Sequence, residues 1–80
     1  MENNILSLDK LLIGKKAIVR ALVAEGLERR RLLDLGLVQG TPVEALHVSP
    51  TGDPIAYSIM GAVIALRSND ASKVIVQNLS

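Results

Sequence analysis

Most of this chain reads as short apolar runs punctuated by Gly, Pro, Asp and Ser, the pattern of strands joined by tight turns. "KAIVRAL" is the first such run, with β-branched Ile18 and Val19 at its centre. "TPVEALHV" is the second, with Pro42 confined to its start, where a missing N–H does least harm. In "IAYSIM" the row Ile55, Tyr57, Ile59 alternates with Ala56, Ser58, Met60. Gly61 marks a tight turn or bulge before "AVIALR", and "VIVQNL" is the last strand. Between the second and third runs, "SPTGDP" is a turn: Pro50 presets φ, Gly52 accepts positive φ, and Asp53 can bond nearby backbone.

One segment breaks the strand pattern. "ERRRLLDLGLVQG", Glu28 to Gly40, carries a helical spacing in which Leu32, Leu33 and Leu35 form the apolar arc. On that wheel Arg29 falls inside the arc, so its stem runs along the core edge and its guanidinium seeks a carboxylate or carbonyls at the rim. Arg30 points outward, four residues before Asp34, and Arg31 lies on the flank beside Leu35. Glu28 offsets the positive charge at the helix N-terminus. Gly36 sits where a C′ glycine ends a helix, and Leu37 folds back on Leu32 as the clasp of a Schellman motif. Two shorter turns complete the reading. "SLDKLLIGKKA" is one helical turn capped by Ser7 or Asp9 and stopped by Gly14, and "SNDASK" is another from Asn69 or Asp70. The expected fold is mainly β: a small, strongly bent antiparallel barrel of about five strands, with one short helix between the first and second. Closure would hide Val- and Ile-rich edges.

Composition narrows what such a barrel does. Eighty residues make one domain, spanning 1–80, with a thin core. One Tyr, no Phe and no Trp leave that core to Leu, Ile, Val and Ala. The three arginines point in three directions and the net charge is only +1, a poor basis for gripping phosphates, so nucleic acid is not an expected partner. Tyr57 reads as a core residue with its hydroxyl at the edge, and one aromatic cannot build a platform for bases or proline-rich peptides. Zero cysteines exclude disulfides and thiolate chemistry and suit a reducing cytoplasm. "ILSLDKLLI" is broken by Asp9 and Lys10, and the uncharged run Pro54–Leu66 is shorter than the roughly 18 residues of a spanning helix. No membrane insertion is expected.

Catalytic inventory is thin. His47 is the single histidine, no nucleophile motif accompanies it, and the carboxylates are scattered singly, so no enzyme is expected and no cofactor. A metal site would need His47 with Asp53 and Glu44, a set more often found as ordinary half-exposed strand residues. Val38, Met60 and Ala62 are apolar where solvated positions are usually polar, which suggests a protein contact if they are contiguous.

"RRRLLDLGLVQGTPVEAL", followed by "SPTGDPIAY", "GAVIALR" and "NDASKV", resembles the FeoA family of ferrous iron transport proteins in order and spacing over nearly the whole chain. The resemblance implies an SH3-like barrel and a cytoplasmic accessory role in ferrous iron uptake through contact with the cytosolic part of a FeoB-type transporter. It places the family pattern on Arg29, Leu32, Leu33, Gly36, Leu37, Gly40, Pro50, Gly52, Asp53, Pro54, Leu66 and Arg67. Gln39 departs from it where Pro is common, and Met60 and Ala62 where polar or larger residues are. The expected partner surface is the helix and its exit: Arg30, Arg31, Leu37, Val38 and, beside them, Met60. Self-association is expected to be weak or absent. The alternative is a metal-responsive module akin to the SH3-like domain of iron-dependent repressors, with His47 its best single ligand.

Overall fold

The structure, a computed structural model, describes residues 4–79; residues 1–3 and 80 of the expected 1–80 domain lie outside it. In chain order the elements are β1 (Ile5–Ser7), a 3-10 turn (Leu8–Lys10), β2 (Lys16–Leu22), α1 (Gly26–Asp34), β3 (Pro42–Val48), β4 (Ile55–Ile59), β5 (Ala62–Leu66), α2 (Ser68–Ala71) and β6 (Val74–Asn78). All strand pairs are antiparallel, in the order β1-β6-β2-β3-β4-β5.

The mainly-β antiparallel expectation holds, with three corrections. There are six strands rather than five among the described residues, because Ile5–Ser7 pairs with Ile75–Gln77. The helix therefore lies between β2 and β3, and "SNDASK" contributes a second one, α2, whose N-cap is Arg67 rather than Asn69 or Asp70. The hydrogen-bonded ladder also does not close, since β1 and β5 end the strand order without pairing to each other. Bending comes instead from register shifts between Val19 and Ala21 on β2 and between Ala45 and His47 on β3, each adding one unpaired residue and local twist.

The period-two rule sorts the inner face. Ala17 and Val19, Val43 and Ala45, Tyr57 and Ile59, and Val74 and Val76 are all buried in one cluster. Leu8 of the 3-10 turn, Leu32 of α1 and Leu37 beyond it fill the rest and are fully buried. Tyr57 is also fully enclosed, so its hydroxyl is not at the edge: it donates to the Leu8 carbonyl at 3.3 Å. Burial first, then the negative charges of Asp9 and Asp53, push its pKa up to about 12.

Candidate functional site

The exit of α1 is the most tightly bonded part of the expected surface. Gly36 N–H donates to the Leu33 carbonyl at 2.9 Å and Leu37 N–H to the Leu32 carbonyl at 3.2 Å, the paired bonds of a Schellman motif. Gly36 has φ +99°, a conformation few residues other than glycine adopt easily. Gly40 follows with φ +93° and donates to the Val19 carbonyl at 2.8 Å, while Val19 N–H donates to the Thr41 carbonyl at 2.9 Å. The loop is thereby stitched to the bulge of β2.

This geometry corrects one expectation. Leu37 is fully buried, so it anchors the helix exit to the core and offers no side chain to a partner. The apolar clasp that ends the helix also pulls the residue inward. Val38, one position on, is 42% exposed. Met60 comes to the same place from the β4–β5 turn: a Cβ at Gly36 would lie 2.7 Å from its Sδ. Met60 is 70% exposed and has φ +50°. With Gly61 at φ +83° it forms the two-residue hairpin turn in which both residues are left-handed. A large apolar side chain is thus held in solvent on a backbone conformation that costs roughly 1–2 kcal/mol outside glycine. Pro42, Glu44, Ser58 and Gly61 line a groove of about 260 Å³ with Met60. The approach of Met60 to Gly36 joins residues far apart in the chain and has no local sequence signal; the groove was missed for the same reason.

The arginines separate as the wheel suggested, and Arg29 reaches a carbonyl as expected, but Arg30 does not pair with Asp34. Arg29 donates a long bond of 3.4 Å to the Leu22 carbonyl and lines a second cavity of about 230 Å³ with Leu33, Leu37, Arg20 and Gln39. Arg30 is exposed and makes no ion pair with Asp34 among the described residues. Arg31 instead pairs with Asp70 of α2 at 3.0 Å. Glu28 does more than balance the helix N-terminus, because it accepts from Lys73 at 2.7 Å. Two ion pairs therefore lace α1 to the segment that leads into β6.

The "SPTGDP" turn is organised around Asp53. Its carbonyl accepts from Ser49 Oγ at 2.7 Å and Thr51 Oγ1 at 2.9 Å, Gly52 N–H donates to the Ser49 carbonyl at 2.8 Å, and the Asp53–Pro54 bond is cis. The Asp53 carboxylate reaches further, accepting from Ser68 N–H at 2.7 Å and lying 3.7 Å from Arg67. It thus satisfies one of the free N–H groups that open α2. Asp53 is spent on this contact. His47 sits exposed on β3, and the described residues contain no group of three or more His, Asp or Glu side chains placed to hold a metal ion. No helix among them is long and apolar enough to cross a membrane.

The FeoA domain family matches residues 6–78. This chain belongs to the FeoA family. A curated relative from Porphyromonas gingivalis, an Fe(2+) transport protein A/Fe(2+) transporter FeoB fusion protein, is 33% identical over 73 residues. Those residues are 91% of this chain but 9% of the relative, so the FeoA domain spans about a tenth of that protein. The solution structure of FeoA from Chlorobium tepidum superposes with a TM-score of 0.86 at 39% identity, covering 94% of this chain and 71% of the other. FeoA from Stenotrophomonas maltophilia, a prokaryotic SH3 domain protein solved with zinc, matches at TM-score 0.80 and 29% identity over 90% and 89% of the two chains. The FeoA domain described here is accordingly SH3-like, with an unclosed six-stranded sheet.

Proposed function

We propose that this FeoA domain is a cytoplasmic accessory protein of ferrous iron uptake that binds the cytosolic part of a FeoB-type transporter and modulates transport. The observation that supports this reading is the fusion of a 33% identical segment to FeoB in Porphyromonas gingivalis. Covalent linkage supplies a high effective concentration, so fused partners need little affinity of their own. A free copy needs a surface that achieves the same encounter.

The surface with the best physical case is Val38 and Met60, with the exposed Arg30 on the helix that leads to them. An exposed Met on a strained backbone has no stabilising role that a glycine or asparagine would not fill better, and a thioether adapts to irregular apolar partners. Arg31 joins only by sharing or releasing Asp70. The mechanism has no chemical step. Binding one transporter conformation better than another shifts the populations of both.

Titrating 15N-labelled protein with the transporter's cytosolic domain, and with the full-length transporter in detergent, tests the reading. Shifts or broadening at Val38, Met60 and Gly61 are expected, and Met60→Asn, which keeps the left-handed turn, should weaken binding about tenfold. If neither transporter form perturbs any resonance, the proposal fails.

A further inference from the structure

The two edges of the sheet are not equivalent. β1 is three residues long, Ile5–Ser7. β5 is five residues, Ala62–Leu66, all apolar, with no Lys, Pro or bulge among them. Short length, charge, Pro and bulges are the usual devices that stop an edge strand from pairing with another chain. β1 has the first of these and β5 has none. β5 is the C-terminal part of the uncharged run Pro54–Leu66 that the transporter-binding surface does not use, apart from Met60.

The register determines which groups of β5 are free. The two-residue turn Met60–Gly61 makes Ile59 and Ala62 a hydrogen-bonded pair, so Tyr57 with Ile64 is the next such pair. The other side of β4 agrees: Ala45 spends its N–H on the Lys15 carbonyl and its carbonyl on Gly14 N–H, so Tyr57 turns its own groups towards β5. The amides and carbonyls of Val63 and Ala65 therefore face away from β4, and no backbone partner meets them among the described residues. Both side chains are exposed, Val63 at 69%, and both lie opposite small residues, Ser58 and Ala56. No charged side chain stands on this edge or directly opposite it on β4.

We infer that β5 is a self-pairing edge, and that a second copy of this chain adds its own β5 antiparallel about a two-fold axis through Ile64. The choice of a second copy follows from the pattern. An axis through Ile64 sets Val63 opposite Ala65 of the other copy, and these are the residues whose backbone groups point outward. Every outward amide and carbonyl of Val63 and Ala65 then finds a partner, whereas an axis through Val63 or Ala65 would pair only that residue with its own image within the strand, and one midway between residues would set outward groups opposite inward ones. A symmetric seam also places each charge near its own image, which an uncharged strand makes harmless. The nearest charge, Arg67, falls opposite Gly61 of the second copy rather than opposite another arginine. A seam of this length is small, so the dimer is weak, with Kd on the order of 0.1 mM.

Sedimentation equilibrium of the full chain from about 10 µM to about 1 mM spans that range. The mass should climb towards twice the monomer, with concentration-dependent broadening at the Val63 and Ala65 amides. Val63→Lys, which sets like charges across the seam, should hold the protein monomeric. So should Ala65→Pro, which removes an outward N–H that the β4 ladder does not use. Ile5→Lys on the other edge should leave association unchanged. Retained cross-strand contacts between β4 and β5 verify that each variant is folded. A protein that stays monomeric at about 1 mM overturns the inference, as does a dimer indifferent to both β5 variants. Perturbation of the β5 amides only on adding the transporter's cytosolic domain would give the edge to a foreign strand and equally overturn it, while leaving the Met60 surface to be judged by Met60→Asn.

Discussion

The exit of α1 and the Ser49–Pro54 turn both fasten a helix to the sheet, and they do it with opposite chemistry. At the exit the fastening is apolar: Leu37 is buried, two backbone bonds close the helix, and glycine supplies the φ that allows them. At the turn it is polar: the Asp53 carboxylate reaches the N–H of Ser68 and lies near Arg67. The apolar fastening is indifferent to salt, and its cost on removal scales with the space left behind. The polar one answers to charge and is worth less, because its partners are partly solvated. For the proposed contact surface the first kind is the better support, since it fixes the backbone before Val38 without spending exposed charge.

Substitutions can break this contrast. Leu37→Ala should be the most damaging, at about 2–5 kcal/mol, because it leaves a hole between α1 and the sheet; urea denaturation measures it directly. Next comes alkali. The folded state holds the Tyr57 proton up to a pKa of about 12, while the unfolded chain releases it near the ordinary value of 10.0. The tyrosine's contribution is therefore intact below about pH 10 and is lost as pH rises towards 12, at up to about 1.4 kcal/mol per pH unit. Because Tyr57 is the single tyrosine, its ultraviolet absorbance reports this without interference. Asp53→Asn should lower that pKa by removing one of the negative charges that raise it, and so reduce the stability lost in alkali.

Gly36→Ala should cost about 1–2 kcal/mol from the positive φ alone. The clash with Met60 Sδ adds little, because a flexible side chain can swing away, so Gly36→Ala combined with Met60→Ala should be hardly better than the single change. Asp53→Ala should cost about 1 kcal/mol, with Asn recovering part of it as an acceptor for Ser68. Arg31→Ala should change stability by less than about 0.5 kcal/mol, since the pair with Asp70 is largely exposed on the arginine side. An Asp53→Ala loss as large as that of Leu37→Ala would reverse the ranking of the two fastenings.

Features with local causes were legible in the sequence itself. The Schellman exit, the Gly61 turn, the inward Tyr57 and Ile59 of β4 and the shallow placement of Arg29 each depend on residues within a few positions of one another, although Ala56, expected outside the buried row, is buried as well. What escaped was non-local. β1 is a short segment whose strand character comes from pairing with β6 at the far end of the chain, and alone it reads as the approach to a helical turn. Arg31 pairs with Asp70 on another element, a partner its own stretch of sequence does not show, while the helix-spaced Arg30–Asp34 pair does not form. The proposed contact surface had two origins. Val38 and Met60 stood out as apolar residues in polar places, but only packing could bring Met60 to Gly36 and withdraw Leu37 into the core.

The pairing of β1 with β6 has a further consequence. Asn78 N–H donates to the Asn4 carbonyl at 2.8 Å, so the two ends of the described chain lie side by side. A tether attached to either end leaves the domain from the same corner, at the opposite end of the strand order from β5. Such a domain can be spliced before, after or within a larger polypeptide with the same working orientation. That portability suits a fold met both as nearly the whole of the Stenotrophomonas maltophilia FeoA chain and as about a tenth of a transporter fusion.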